Sequence, residues 1–134
     1  MRVLVVGKGG REHALAHKIS GSPLLTQLWV APGNPGMQAA GLECVAVEST
    51  PEILKFATDN KIELVVLGPE GAILSDLKEA LNKAGIACFA PDKKVARLES
   101  SKLFCKEVLQ KAKVPTARFE LAYDWDQSRW LGRW

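Results

Sequence analysis

The sequence predicts an α/β fold, a parallel sheet of about five strands wound with helices on both faces. Three observations carry this. Short apolar, β-branched runs alternate with segments of helical period, the connections between them are short, and glycine or proline clusters stand where strands end.

The elements follow in order. Residues 3–6, Val-Leu-Val-Val, stop at Gly7-Lys8-Gly9-Gly10, and helix formers follow at once. That reads as a buried strand, a tight turn and a helix over 11–20, with Ala14, Leu15 and Lys18-Ile19 turned to the sheet, ending at Gly21-Ser22-Pro23. Residues 27–31 read as a second strand and 32–36 as a loop. Residues 43–47 read as a short third strand. Ser49-Thr50-Pro51-Glu52 is a helix start, with a hydroxyl cap, an early proline and an early acid. The helix it opens, 52–60, turns Ile53, Leu54, Phe56 and Ala57 inward. Residues 63–67 are apolar enough for a central strand, and Gly68-Pro69-Glu70 follows. A helix over 75–84 closes at Gly85, a fifth strand covers 86–90, and two short helices cover 95–98 and 101–112.

Composition excludes several classes. With 134 residues, 47% hydrophobic and 25% charged, the chain suits one globular domain with a real core. No apolar run approaches a membrane span, and residues 1–6 are too short for a signal peptide, so a cytoplasmic setting is expected, with no membrane partner. Cys44, Cys88 and Cys105 lack metal-type spacing and read as reduced thiols. His13 and His17 stand four apart without an evident third ligand, so no metal is expected. Basic residues crowd 93–118, but no aromatic platform is interleaved with them. A solvated helix surface is expected there, and no nucleic-acid partner.

In a doubly wound sheet, ligands bind beyond the carboxyl ends of the strands, near the point where strand order reverses. Three loops meet that description: 7–11, 32–36 and 68–70. In the first, the N–H groups of Gly9, Gly10 and Arg11 would face out from the positive end of a helix, a place suited to phosphate. The alternative is that the glycines merely make the turn. Arg11 either adds a forked contact to an anion or is solvated. Glu12 reads as a helix-start carboxylate rather than a ligand. Two nucleotide motifs fail on spacing. A dinucleotide fingerprint wants glycine at the sixth place from Gly7, where Glu12 stands, and a Walker loop wants Ser or Thr after Lys8, where Gly9 stands. Pro32-Gly33-Asn34 is a plain turn or a sugar-contacting loop. Glu70, after Gly-Pro at a central strand's end, is rarely needed for folding and is placed to accept hydrogen bonds from a ribose diol or an amine. Lys102, opening a helix, either reaches a phosphate or is a surface lysine.

The motifs Gly7-Lys8-Gly9-Gly10-Arg11-Glu12-His13-Ala14, Ala31-Pro32-Gly33-Asn34-Pro35-Gly36 and Gly68-Pro69-Glu70 resemble those of the phosphoribosylamine–glycine ligase (glycinamide ribonucleotide synthetase) family. The resemblance runs over 1–117 and covers only that family's amino-terminal domain, a Rossmann-like fold placed before an ATP-grasp fold. It implies an ATP-dependent ligase of purine biosynthesis that joins glycine to 5-phosphoribosylamine through glycyl phosphate. Gly9, Gly10, Arg11, Glu12, Pro32, Gly33, Asn34 and Glu70 would then help hold the phosphoribosylamine. The ATP and magnesium belong to the ATP-grasp part, which no residue here matches. The chain alone is therefore expected to bind neither and to be inactive without a separate or downstream ATP-grasp domain. The other reading is a stand-alone module that binds a phosphorylated sugar or nucleotide without catalysis.

Residues 118–134 are expected to form an atypical tail. From Tyr123 they are unlike the family's continuation, and three of the four tryptophans fall in the last ten residues. Helical spacing would place Trp130 near Trp134 and Arg129 near Arg133.

Overall fold

Val3, Leu4, Val5 and Val6 are all buried because β1 (Arg2–Gly7) runs through the middle of the sheet, and helices cover both its faces. The computed structural model describes residues 1–131. Their order is β1, α1 (Gly10–Ser20), β2 (Gln27–Pro32), α2 (Pro35–Ala39), β3 (Glu43–Cys44), α3 (Thr50–Asp59), β4 (Leu64–Leu67), α4 (Glu70–Leu74), α5 (Leu77–Lys83), β5 (Ala87–Phe89), α6 (Lys93–Ser100), α7 (Lys102–Lys111) and α8 (Trp125–Leu131). The chain divides into two compact units, Met1–Ala96 and Arg97–Trp134, and the division falls inside α6. The boundary expected near residue 117 lies within the second unit.

The first unit holds a five-stranded, all-parallel sheet in the order β3-β2-β1-β4-β5. Register aligns Leu4 with Trp29 and Val65, and Val5 with Val30 and Val66. Because side chains alternate along a strand, this sorts the core by parity. Leu4, Val6, Trp29, Ala31, Val65 and Leu67 pack on one face under Ile53 and Ala57 of α3, Ile73 of α4, and Leu77 and Leu81 of α5. Val3, Val5, Leu28, Val30 and Val66 pack on the other, under Ala16 of α1 and Met37 of α2. The edges are short: β3 has two residues and β5 three.

Four local expectations are corrected. The inward face of α1 is Glu12, Ala16 and the half-buried Leu15 and Ile19, whereas Ala14 and Lys18 are exposed. Burial of Glu12 sets that phase, since residues three, four and seven places on share its face. The strand expected over 43–47 stops at Cys44. The Val45 N–H still reaches the Val30 carbonyl (2.9 Å), but the Val47 N–H turns back onto the Val45 carbonyl (2.8 Å), so the chain leaves the sheet. The loop expected at 32–36 gives way at Pro35 to α2, started by Asn34 as its cap. Finally, α4 precedes a shorter α5 where one helix over 75–84 was expected. Ser75 is extended, its hydroxyl donating to the Ala72 carbonyl (2.7 Å) and accepting the Leu77 N–H (3.2 Å), which breaks the helix there.

In the second unit, Ser101 caps α7 by accepting the Phe104 N–H (3.2 Å), and the Arg97 guanidinium lies 4.3 Å from the centre of the Phe104 ring. The Lys106 ammonium donates to the Thr116 hydroxyl (2.6 Å) and the Ala117 carbonyl (3.0 Å). Tyr123 and Trp125 are exposed. The Trp130–Trp134 and Arg129–Arg133 pairings reach beyond the described residues. No described helix is long and apolar enough to cross a membrane.

Two outcomes follow from this packing. Leu81→Ala, at a fully buried position, will lower stability to urea by about 2–5 kcal/mol, the usual cost of emptying a leucine site. The Glu52 carboxyl is held below its ordinary value, first by the Ser49 N–H, then by the Ser49 hydroxyl and the Glu48 N–H. A depressed folded value means that this stabilisation is complete above the unfolded glutamate range and is lost as pH falls through the folded value. Urea midpoints measured in that interval will therefore fall more steeply with pH for the parent chain than for Glu52→Gln.

Candidate functional site at the carboxyl edge of the sheet

From β1 the chain builds outward through β2 to β3, then returns to add β4 and β5 on the other side. The reversal lies between β1 and β4, and beyond their carboxyl ends stand the loops at Gly7–Gly10 and Gly68–Glu70.

The first loop folds around a buried carboxylate. Gly7 has φ +141°, Gly9 is the extended cap residue, and α1 begins at Gly10. Glu12, at the third helical position, is only 4% exposed. Its Oε2 accepts the Gly9 N–H (2.9 Å) and its Oε1 accepts from Arg11 Nε (3.1 Å). This is half of a capping box, made by the acid alone because Gly9 has no side chain. The Gly9 N–H, expected to face a phosphate, is thus bonded within the loop, while Gly10 stays exposed at the helix's first turn, where no intrahelical carbonyl reaches its N–H.

Arg11 extends the tie. Its Nη2 donates to the Gly68 carbonyl at 2.5 Å, so one guanidinium bridges Glu12 and the loop after β4. The side chain is about half exposed, between the solvated and ligand-facing readings.

At the end of β2 the Ala31–Pro32 peptide is cis. Gly33 has φ +73°, and a Cβ there would overlap the Cys44 side chain, so the turn admits no other residue without strain. The Gly33 N–H donates to the Gly7 carbonyl (3.2 Å). Asn34 accepts the Met37 N–H (2.9 Å) and donates to the Lys8 carbonyl (2.8 Å), capping α2 and tying it to the glycine loop. Glu70 opens α4 and is exposed, and its carboxylate has no hydrogen-bond or ion-pair partner among the described residues. Lys102 is exposed in the first turn of α7, in the second unit.

Beside these loops, still within the first unit, lies a cleft of about 260 Å³ lined by Lys8, Pro32, Glu48, Thr50, Pro69 and Ser75 among others. Of the substrate-binding residues expected from sequence, Pro32 alone lines it, together with Lys8, Ala31 and Pro69 of the quoted motifs. The Lys8 ammonium stands 3.9 Å from a Glu48 carboxylate oxygen at its mouth, with both side chains well exposed. Lys8 entered the sequence reading only through the failed Walker spacing. Glu48, Thr50 and Ser75 carry no local signal, for they arrive through the exit of the chain from β3 and the break between α4 and α5. The described residues contain no cluster of three or more His, Cys, Asp or Glu placed to hold a metal ion.

Comparison with known proteins follows the same residues. Residues 1–99 match the family model for the phosphoribosylglycinamide synthetase N domain. The chain is 46% identical over 121 residues to the phosphoribosylamine–glycine ligase of Agrobacterium fabrum, covering 90% of this chain and 29% of that one. It is 44% identical over 122 residues to the trifunctional purine biosynthetic protein adenosine-3 of Gallus gallus, covering 89% of this chain and 12% of that one. The crystal structure of the phosphoribosylamine–glycine ligase of Thermotoga maritima is similar over 99% of this chain and 30% of its own, with TM-score 0.68 and 29% identity. The chain thus spans less than a third of the length of these relatives. A match over residues 1–99, the stretch that contains the glycine loop and the parallel sheet, means that this chain belongs to the phosphoribosylglycinamide synthetase N-domain family.

Proposed function

We propose that this chain is the phosphoribosylamine-binding part of an ATP-dependent ligase that joins glycine to 5-phosphoribosylamine in purine biosynthesis. One observation carries the reading. Three turns, after β1, β2 and β4, meet at one sheet edge, and there an exposed helix start and an exposed carboxylate without a partner among the described residues stand beside a cleft.

Each residue takes a physical role. The Gly10 N–H, at the positive end of α1, suits the substrate phosphate. Arg11 contributes positive charge at a fixed place, because Glu12 and the Gly68 carbonyl hold it. Glu12 acts through that hold and through Gly9 rather than by touching substrate. Pro32, Gly33 and Asn34 shape the wall next to the cleft. Glu70 accepts hydrogen bonds from the ribose diol or the amine. Lys102 is left outside this reading.

In the whole ligase, ATP with magnesium would activate glycine as glycyl phosphate. The described residues do not fit that task, for no group of acidic or histidine side chains is placed to hold the metal. No step of the activation is assigned to them. Their task is to bind and orient the amine substrate for an ATP-grasp domain, within the same polypeptide or supplied separately, in the cytoplasm. A stand-alone module for phosphorylated sugars or nucleotides is the second reading, favoured by a cleft built wholly from first-unit residues.

Titration of the 134-residue chain with glycinamide ribonucleotide, with NAD and ATP as controls, tests this. The ribonucleotide will bind and the controls will not. Glu70→Ala and Arg11→Ala will each weaken binding by about tenfold or more, the size expected for a hydrogen bond to a charged group. Binding of NAD or ATP in place of the ribonucleotide overturns the ligase reading.

A further inference from the structure

Three glycines at the strand ends leave room for one side chain, and it is not a ligand's. A Cβ at Gly7 or at Gly68 would overlap the Glu12 side chain, and one at Gly9 would come within 2.9 Å of Glu12 Oε2. The Glu12 carboxylate therefore occupies the crevice between β1 and β4 itself. There a doubly wound sheet ordinarily admits a pyrophosphate, with glycines allowing its approach. Here the same absence of Cβ atoms admits an internal acid. That acid is buried, takes the N–H of Gly9, and is roofed by the Arg11 guanidinium reaching over to the Gly68 carbonyl. By contrast, a Cβ at Gly10 or Gly71 would meet nothing within 4 Å, and Glu12 crowds only Gly7, Gly9 and Gly68.

The geometry points to Glu12 as the specificity-determining residue that closes this crevice to nucleotides and pyrophosphates. Two effects act together. The carboxylate fills the volume that bridging phosphates need, and its bond to Gly9 removes a donor that would cradle them. Ligand selection at the sheet edge is then by exclusion, a built-in obstacle that turns dinucleotide-type ligands away while leaving the outer face of α1 and the neighbouring cleft open. This inference does not depend on the ligase reading, because it concerns what the fold refuses.

The probes are inorganic pyrophosphate and ADP, titrated by calorimetry against the parent chain, Glu12→Ala and Glu12→Gln. Glu12→Ala empties the crevice and will bind pyrophosphate about tenfold or more tightly than the parent. Glu12→Gln keeps the volume and will stay like the parent. A folded Glu12→Ala with no gain overturns the inference, as does a gain in Glu12→Gln equal to that in Glu12→Ala. A second measurement needs no variant and decides the matter if Glu12→Ala does not fold. In the parent chain, NMR signals of the Gly9 and Gly68 amides will stay in place as pyrophosphate is added. Saturable shifts of both signals would mean that the crevice is open, and the inference fails.

Discussion

The arrangement at the head of the sheet depends on one buried acid. A carboxylate removed from water must find hydrogen-bond donors, and Glu12 finds them in the Gly9 N–H and the Arg11 guanidinium. Satisfying it fixes the start of α1, and with it the rotation of the helix that puts Ala16 against the sheet. It also fixes Arg11, which carries the constraint across to the loop after β4. Three glycines are needed for the acid to fit. The glycine-rich loop is shaped first by an internal contact, and whatever it offers a substrate is what that contact leaves exposed.

The rest of the first unit brings the other loops to the same edge. β1 pairs on both sides, so the loops after β2 and β4 are set beside its own by backbone register. Short polar ties then hold the loops to each other. Asn34 reaches the Lys8 carbonyl, the Gly33 N–H reaches the Gly7 carbonyl, and Arg11 reaches the Gly68 carbonyl. All three bonds end on backbone carbonyls near glycines. Loop position is thereby tied to main chain, leaving the exposed Glu70 as the acidic side chain without a partner at this edge among the described residues.

Much of this was legible from residues 1–85. The apolar run at residues 3–6, the Ser49 to Glu52 helix start and the Gly85 helix stop each have a local physical cause, and each element lies where that cause puts it. What escaped reading was short or non-local. α2 and α4 have five residues each, too few to display a helical period. The inward face of α1 was misjudged because an acid at its third position reads as a dipole partner, and nothing in the sequence says that Gly68, fifty-six places on, makes room to bury it. The cleft residues Glu48, Thr50 and Ser75 are brought together by the path of the chain, which no spacing encodes. The three site motifs were visible, but their inner and outer halves were not distinguishable: Glu12 and Asn34 face the protein's own chain, whereas Glu70 and Gly10 are exposed.

The short outer strands bear on how this domain can join larger assemblies. β3 contributes two residues and β5 three. Such edges offer too few unpaired backbone groups to seed a ladder with another strand. Edges this short disfavour continuation of the sheet by a neighbouring strand. Contacts through side chains and loops are thereby favoured over strand pairing at the flanks.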